Sequence, residues 1–215
     1  MATYESLITI KGSVGDLVFY NLNGKNVVRK KSGFNKNAFK KSPSYEKVRQ
    51  NSSEFGHCSK TGKLIRQVLS AYIKESEDPL LYQKFAKLMT EIKDLDIVSE
   101  KGKRTVKNGI ATERGNLLLK QFQFGKKPNL ENEAAVSLAL WDNTLHLGKN
   151  DQGDEIIITS IKIDFEQYVT ENFEEKFFLQ QQTDITFQKH FTDDDLVLYF
   201  AAVKSNGKIL KMGFV

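Results

Sequence analysis

Two Asn-Gly dipeptides lie near opposite ends of the chain, Asn23-Gly24 and Asn206-Gly207. Each separates two β-rich runs, "DLVFY" from "NVVRK" and "LVLYFAAVK" from "KIL". A two-residue hairpin turn needs positive φ at both positions, which Asn and Gly tolerate. Both ends of the chain are therefore expected to be antiparallel β-structure, and whatever helix the sequence encodes must lie between them.

At the N-terminus, "LITI", "DLVFY" and "NVVRK" predict a ribbon of two or three strands, with Gly12 and Gly15 flanking a shorter turn. Such a ribbon is marginal in water on its own, so it must rest on something. A polar, basic linker is expected over "KSGFNKNAFKKS".

Ser42-Pro43 then predicts a helix start, with Ser as N-cap and Pro in the first turn. Tyr45, Val48, Ser52, Phe55 and Ser59 fall on one face of that helix, and Gly56 and Gly62 leave room for an interruption. Leu64, Ile65, Val68, Leu69 and Tyr72 continue as an apolar stripe. Asp78-Pro79 opens a second helix whose buried face is Leu81, Phe85, Leu88, Ile92 and Leu95. The two are expected to pair as an antiparallel hairpin. Residues 99–116 read as a charged connector holding one short helix.

From residue 117 the pattern turns to strands: "NLLLKQFQF", "AAVSLAL", "TLHLG", "EIIITSIKID", "EKFFLQQ", "DITFQ", "LVLYFAAVK" and "KILKMGF". Seven or eight short strands in such a stretch suggest an immunoglobulin-like β-sandwich. The fold class expected is thus α+β, in three parts: ribbon and basic arm (1–41), helical segment (42–116) and sandwich (117–215).

Charge is distributed unevenly. Residues 1–70 hold 13 basic and 4 acidic side chains, net +9, whereas residues 151–195 hold 3 and 12, net −9. The whole chain carries +5. A chain with a basic end and an acidic block attracts a second copy of itself, most strongly at low salt. A dedicated nucleic-acid binder more often carries a large positive excess overall. No apolar run approaches the ~18 residues of a membrane span, so no membrane partner is expected. "MATYESLITIKG" lacks the charged and apolar regions of a signal peptide, and Cys58 is the only cysteine. Together these point to a cytoplasmic protein.

Catalytic and cofactor motifs fail on inspection. "GHCSKTGK", residues 56–63, has five residues between Gly56 and Gly62 and is followed by Leu64, where a phosphate-binding loop needs four and then Ser or Thr. His57 and Cys58 are adjacent, and neighbours on a helix point about 100° apart, so they form no nucleophilic dyad. His146 and His190 are isolated, and no metal-ligand spacing occurs. Asp193, Asp194 and Asp195 form an acidic turn without the spacing of a calcium loop. No catalytic residue, metal, cofactor or small-molecule substrate is expected.

The basic arm is the strongest local feature. Residues 25–50 carry nine basic side chains and one acidic one. Arg29, Lys30, Lys31, Lys40 and Lys41, with Phe34 and Phe39, are the expected docking residues, and Asp193, Asp194 and Asp195 the acceptor on a neighbouring copy. The alternative partner is nucleic acid, with the lysines on phosphates and the aromatic side chains stacked on bases.

The run "GSVGDLVFYNLNGKNVVRKKSG…SPSYEKVRQNSSEFGHCSKTGKLIR", followed by "KGKRTVKNGI…GNLLLKQFQF", resembles a group of uncharacterised bacterial proteins found mainly in Bacteroidota. They open with a Gly-x-x-Gly strand pair, continue with a Ser-Pro or Thr-Pro helix and end in a β-rich half. The resemblance covers about the first 125 residues and implies no catalytic residue. A similar N-terminal pattern in phage-derived proteins implies a component of a particle or filament. The expected function is accordingly a non-enzymatic structural protein that self-assembles through its N-terminal arm.

Overall fold

The computed structural model describes residues 2–6, 8–31, 36–130, 137–139, 143–147, 153–179, 184–192 and 195–215. The chain forms two compact units, Met1–Arg49 and Gln50–Val215. It is α+β, with helices and antiparallel sheets.

The first unit is a four-stranded sheet in the order β1-β4-β3-β2, followed by a short helix. The strands are β1 (Ala2–Thr3), β2 (Gly12–Val14), β3 (Leu17–Leu22) and β4 (Lys25–Lys30). The Asn23-Gly24 hairpin forms as expected, with φ of 51° and 81°. The strand expected over "LITI" does not form at its described positions. Ile8–Ile10 lie outside the ladder, where the Tyr4 hydroxyl donates to the Ile10 carbonyl. The linker is also corrected in part. Lys36–Lys41 form helix α1, packed through an edge-to-face contact of Phe39 with Tyr45 and held by Arg49, whose guanidinium donates to the Phe39 and Ser42 carbonyls.

Ser42 is extended, with Pro43 in a single 3-10 turn (Pro43–Tyr45) leading into α2 (Glu46–Val68). The Ser42 side chain makes no cap bond to that turn. Helix α2 runs through Gly56 and Gly62 without a break. Its buried face is not the one expected. Val48 and Phe55 are exposed, and the helix instead buries Glu54, Cys58, Thr61, Gly62 and Ile65. The reason is the partner helix α4 (Leu81–Asp94). The pairs Glu54–Lys93, Cys58–Met89 and Gly62–Phe85 march in opposite directions along the two helices, so they are antiparallel. A Cβ on Gly62 would stand 3.1 Å from the Met89 side chain, so the small residue permits the approach. The apolar face expected on α4 is buried at Leu81, Phe85, Leu88 and Ile92.

The connector holds two helices, α5 (Val106–Ile110) and α6 (Glu113–Lys120), and α3 (Ser70–Glu75) extends the first arm of the hairpin. The strand expected over "NLLLKQFQF" is therefore corrected: its first residues are helical. Thr105 and Thr112 cap the two helices, accepting from the Asn108 and Gly115 amides, and such caps favour helix starts. Phe122 and Phe124 follow in a loop and join an aromatic cluster with Phe85, Phe200 and Phe214.

The C-terminal strands are β5 (Ser137–Ala139), β6 (Thr144–His146), β7 (Glu155–Asp164), β8 (Val169–Phe178), β9 (Asp184–Thr186), β10 (Val197–Ser205) and β11 (Lys208–Phe214). They form one sheet of order β11-β10-β7-β8 and another of order β5-β6-β9. Side chains alternate across a strand, and β7 and β10 use both faces. Ile161, Ile163, Leu198, Phe200 and Ala202 join the helices in one core. Ile156, Ile158, Ala201 and Val203 meet Leu145, Ile185 and Phe187 of the smaller sheet in another. The second unit is thus layered helix, sheet, sheet. The expected break at 116/117 falls inside α6, and helices and sheet share a core.

Candidate interaction surfaces

In the first unit, β4 carries Arg29 and Lys30 and is followed by Lys31, whose amide donates to the Asp16 carbonyl and whose amine reaches the Gly15 carbonyl. Lys40 and Lys41 end α1 and are exposed, while Phe39 is half-buried against Tyr45. Phe34 lies outside the described residues. The basic residues are therefore spread over a strand and a helix of one small unit.

That unit has little core. Val27 is the one buried apolar side chain among its described residues, whereas Ile8 (71% exposed), Val14 (62%), Leu17 and Leu22 face outward. A shallow depression of about 700 Å³ lies over Ala2, Thr3, Leu22, Lys25 and Val27. Val14 and Leu17 are ladder partners on one face of the sheet and Leu22 points to the other, so the sheet exposes apolar side chains on both faces and gains from a cover.

The expected acceptor fares differently. Asp193 and Asp194 lie outside the described residues. Asp195 is already engaged: it accepts from the Thr192 hydroxyl and pairs with Lys162 at 3.1 Å. These bonds hold its carboxyl below the usual aspartate range.

The acidic block 151–195 recognised in the sequence holds a second acidic surface, whose residues were not among the expected acceptors. The β7–β8 hairpin from Glu155 to Leu179 holds six acidic and two basic residues. Its outer strand β8 pairs with β7 along ten residues, from Glu155↔Phe178 to Asp164↔Val169, and with no other strand among the described residues. Val169, Phe173 and Phe178 are exposed on it, as are Glu171 and Glu174. Glu174 accepts from the Tyr72 hydroxyl, and Glu175 from the Gln188 amide and His190. His190 stacks on Phe173 at 4.2 Å.

The titratable groups of the second unit serve the fold. "GHCSKTGK" is the middle of α2, so its amides are spent within the helix. The Val106 amide donates to His57 Nε2 at 2.9 Å, so that nitrogen carries no proton. The neutral ring then donates from Nδ1 to the Tyr168 hydroxyl at 2.8 Å. Burial, and then Lys60, depress the imidazole's pKa. Cys58 points away toward the Met89 carbonyl, and burial pushes its thiol up to about 11, so it is no activated nucleophile. Glu54 accepts from Arg104, Lys93 and the Gly102 amide; led by Arg104, these bonds lower its carboxyl to about 2 despite burial. Asp96 accepts from the Val98, Ser99 and Thr105 amides and the Asn108 side chain. His146 meets Asp184 at 2.8 Å on the surface. Among the described residues, no three His, Cys, Asp or Glu side chains converge as a metal ion requires, and no helix is long and apolar enough to cross a membrane. One small cleft, about 50 Å³, lies between α6 and β10, well below the ~300 Å³ of an ordinary ligand pocket.

No family model, curated protein or solved structure matches the chain.

Proposed function

We propose that the chain is a non-enzymatic structural protein that assembles with copies of itself, its N-terminal unit docking on a neighbour. The observation that carries this reading is the first unit itself. It is compact, it bears ten basic against three acidic residues, and its sheet exposes Val14, Leu17 and Leu22, with Val27 the one buried apolar side chain among the unit's described residues. A sheet with so little core gains stability from a cover. The resemblance to phage-derived N-terminal patterns favours a filament or particle in the cytoplasm. The body is an α-helical layer on two sheets, which we read as a variant of the immunoglobulin-like sandwich.

A second reading is favoured by Lys36, Lys40 and Lys41, which share the short α1 with exposed ends. In it, the first unit holds nucleic-acid phosphates. Size-exclusion chromatography with light scattering, at two salt concentrations and with or without nuclease, separates the two. Large species that survive nuclease support assembly; species whose nucleic-acid absorbance disappears with nuclease support the second reading. Changing Lys30, Lys31, Lys40 and Lys41 together to Glu weakens assembly and its salt sensitivity in the first case and abolishes nucleic-acid retention in the second. The four are changed together because single exposed charges are worth about 0–1 kcal/mol.

A further inference from the structure

We propose, resting on the assembly reading, that the acceptor for the N-terminal unit is the outer edge of β8 on a second copy, which takes the edge strand β2 as an added strand. β8 offers a ten-residue strand, about 33 Å of backbone, paired on one side only among the described residues. Such an edge is a template for another strand, its amides and carbonyls supplying affinity. Charge decides which strand. Two β8 edges side by side would set Glu171, Glu174 and Glu175 against their own kind, and like charges across a strand pair are destabilising. The acidic hairpin, net −4, therefore rejects itself and admits a basic partner, whereas the first unit carries net +7. That unit has its own edge at β2, bordered by Lys11 and by Lys31 at the β2–β3 turn. Val14 on β2 and Ile10 just before it in sequence are exposed, as are Val169, Phe173 and Phe178 on β8. Joining two different surfaces makes a head-to-tail contact, which closes into a ring or continues as a filament.

Engineered cysteines test the pairing with little background, because the native Cys58 is buried. An affinity-tagged Ser13→Cys chain is mixed with an untagged Glu171→Cys chain under mild oxidation, and cross-linked peptides are identified by mass spectrometry. A disulfide joining position 13 of one chain to position 171 of the other is the expected result. In the double variant, a bond formed only within one chain overturns the proposal, since the ribbon would then cover its own body. Absence of any cross-link in an assembling protein overturns it as well and leaves assembly through another surface. The pair Glu166→Lys and Glu171→Lys, both on exposed residues, weakens assembly about tenfold at low salt; assembly equal to the unchanged protein's overturns the proposal. A protein that is monomeric at every salt concentration overturns the assembly reading together with this one.

Discussion

Glu54 on α2 and Lys93 on α4 meet at 2.7 Å with both side chains almost wholly buried, 2% and 7% exposed. Arg104 completes the cluster at 2.7 Å from the same carboxylate. Without Glu54, Lys93 and Arg104 keep only the half-exposed Asp94, at 2.6 and 2.9 Å, and breaking a buried pair costs up to about 3–5 kcal/mol. Glu54→Ala is therefore expected to lower stability by that order in urea unfolding followed by circular dichroism. Changing Glu54 to Leu and Lys93 to Met together costs less than Glu54→Ala, because no buried ammonium is left with the half-exposed Asp94 as its one remaining carboxylate partner. The same carboxyl gives a pH dependence. Its folded pKa, about 2, lies below its ordinary 4.5. Its stabilisation is complete above about pH 4.5 and is lost as pH falls toward 2.

His57 predicts a second, separate window. Its folded pKa lies below the ordinary 6.5, because burial and Lys60 disfavour the imidazolium. Protonation of Nε2 would also set an N–H against the Val106 amide. The native state thus binds fewer protons than the unfolded chain below pH 6.5, so stability falls as pH drops through that value and is regained above it. The groups facing the ring are Lys60, Tyr168 and the Val106 amide. Replacing His57 with Gln is expected to flatten the stability profile between about pH 7 and 5 while leaving the Glu54 step in place.

Phe85 sits where the helices, the loop after α6 and the sheet converge, fully buried and 5.1 Å edge-to-face from Phe122. Phe85→Ala is expected to cost about 3–5 kcal/mol, measured by chemical unfolding. A change within about 0.5 kcal/mol, as at surface sites, would contradict its place in the core.

How much of this could be read beforehand depended on whether the buried face was apolar. Leu81, Phe85, Leu88 and Ile92 recur at helical spacing, so α4 and its inward face were legible. The Asn-Gly hairpins were legible for a local reason, the positive φ their turns require. Helix α2 was not, because its contact face is Glu54, Cys58, Thr61 and Gly62. A charged residue earns a core position only through a partner 39 positions away. "NLLLKQFQF" alternates like a strand at its end, yet Thr112 caps a helix that takes up its first residues. The basic arm was visible as composition, but the engagement of Asp195 by Lys162 and the one-sided pairing of β8 follow from tertiary register.

Residues 1–41 contain the four-stranded sheet and α1, while Ser42 and Pro43 begin the turn that leads into α2. Both large hydrophobic clusters consist of residues from Cys58 onward. Deleting residues 1–41 therefore removes no member of either cluster and leaves the start of α2 in place. The truncated protein is expected to keep its helical and β circular-dichroism signals, and its thermal midpoint is expected to move by no more than a few degrees, about what 1 kcal/mol does in a domain this size. Light scattering is expected to find it less associated than the full chain at the same concentration and salt. If it unfolds instead, the ribbon supplies part of the body's own core, and the exposed Val14 and Leu17 would owe their cover to their own chain rather than to a neighbour.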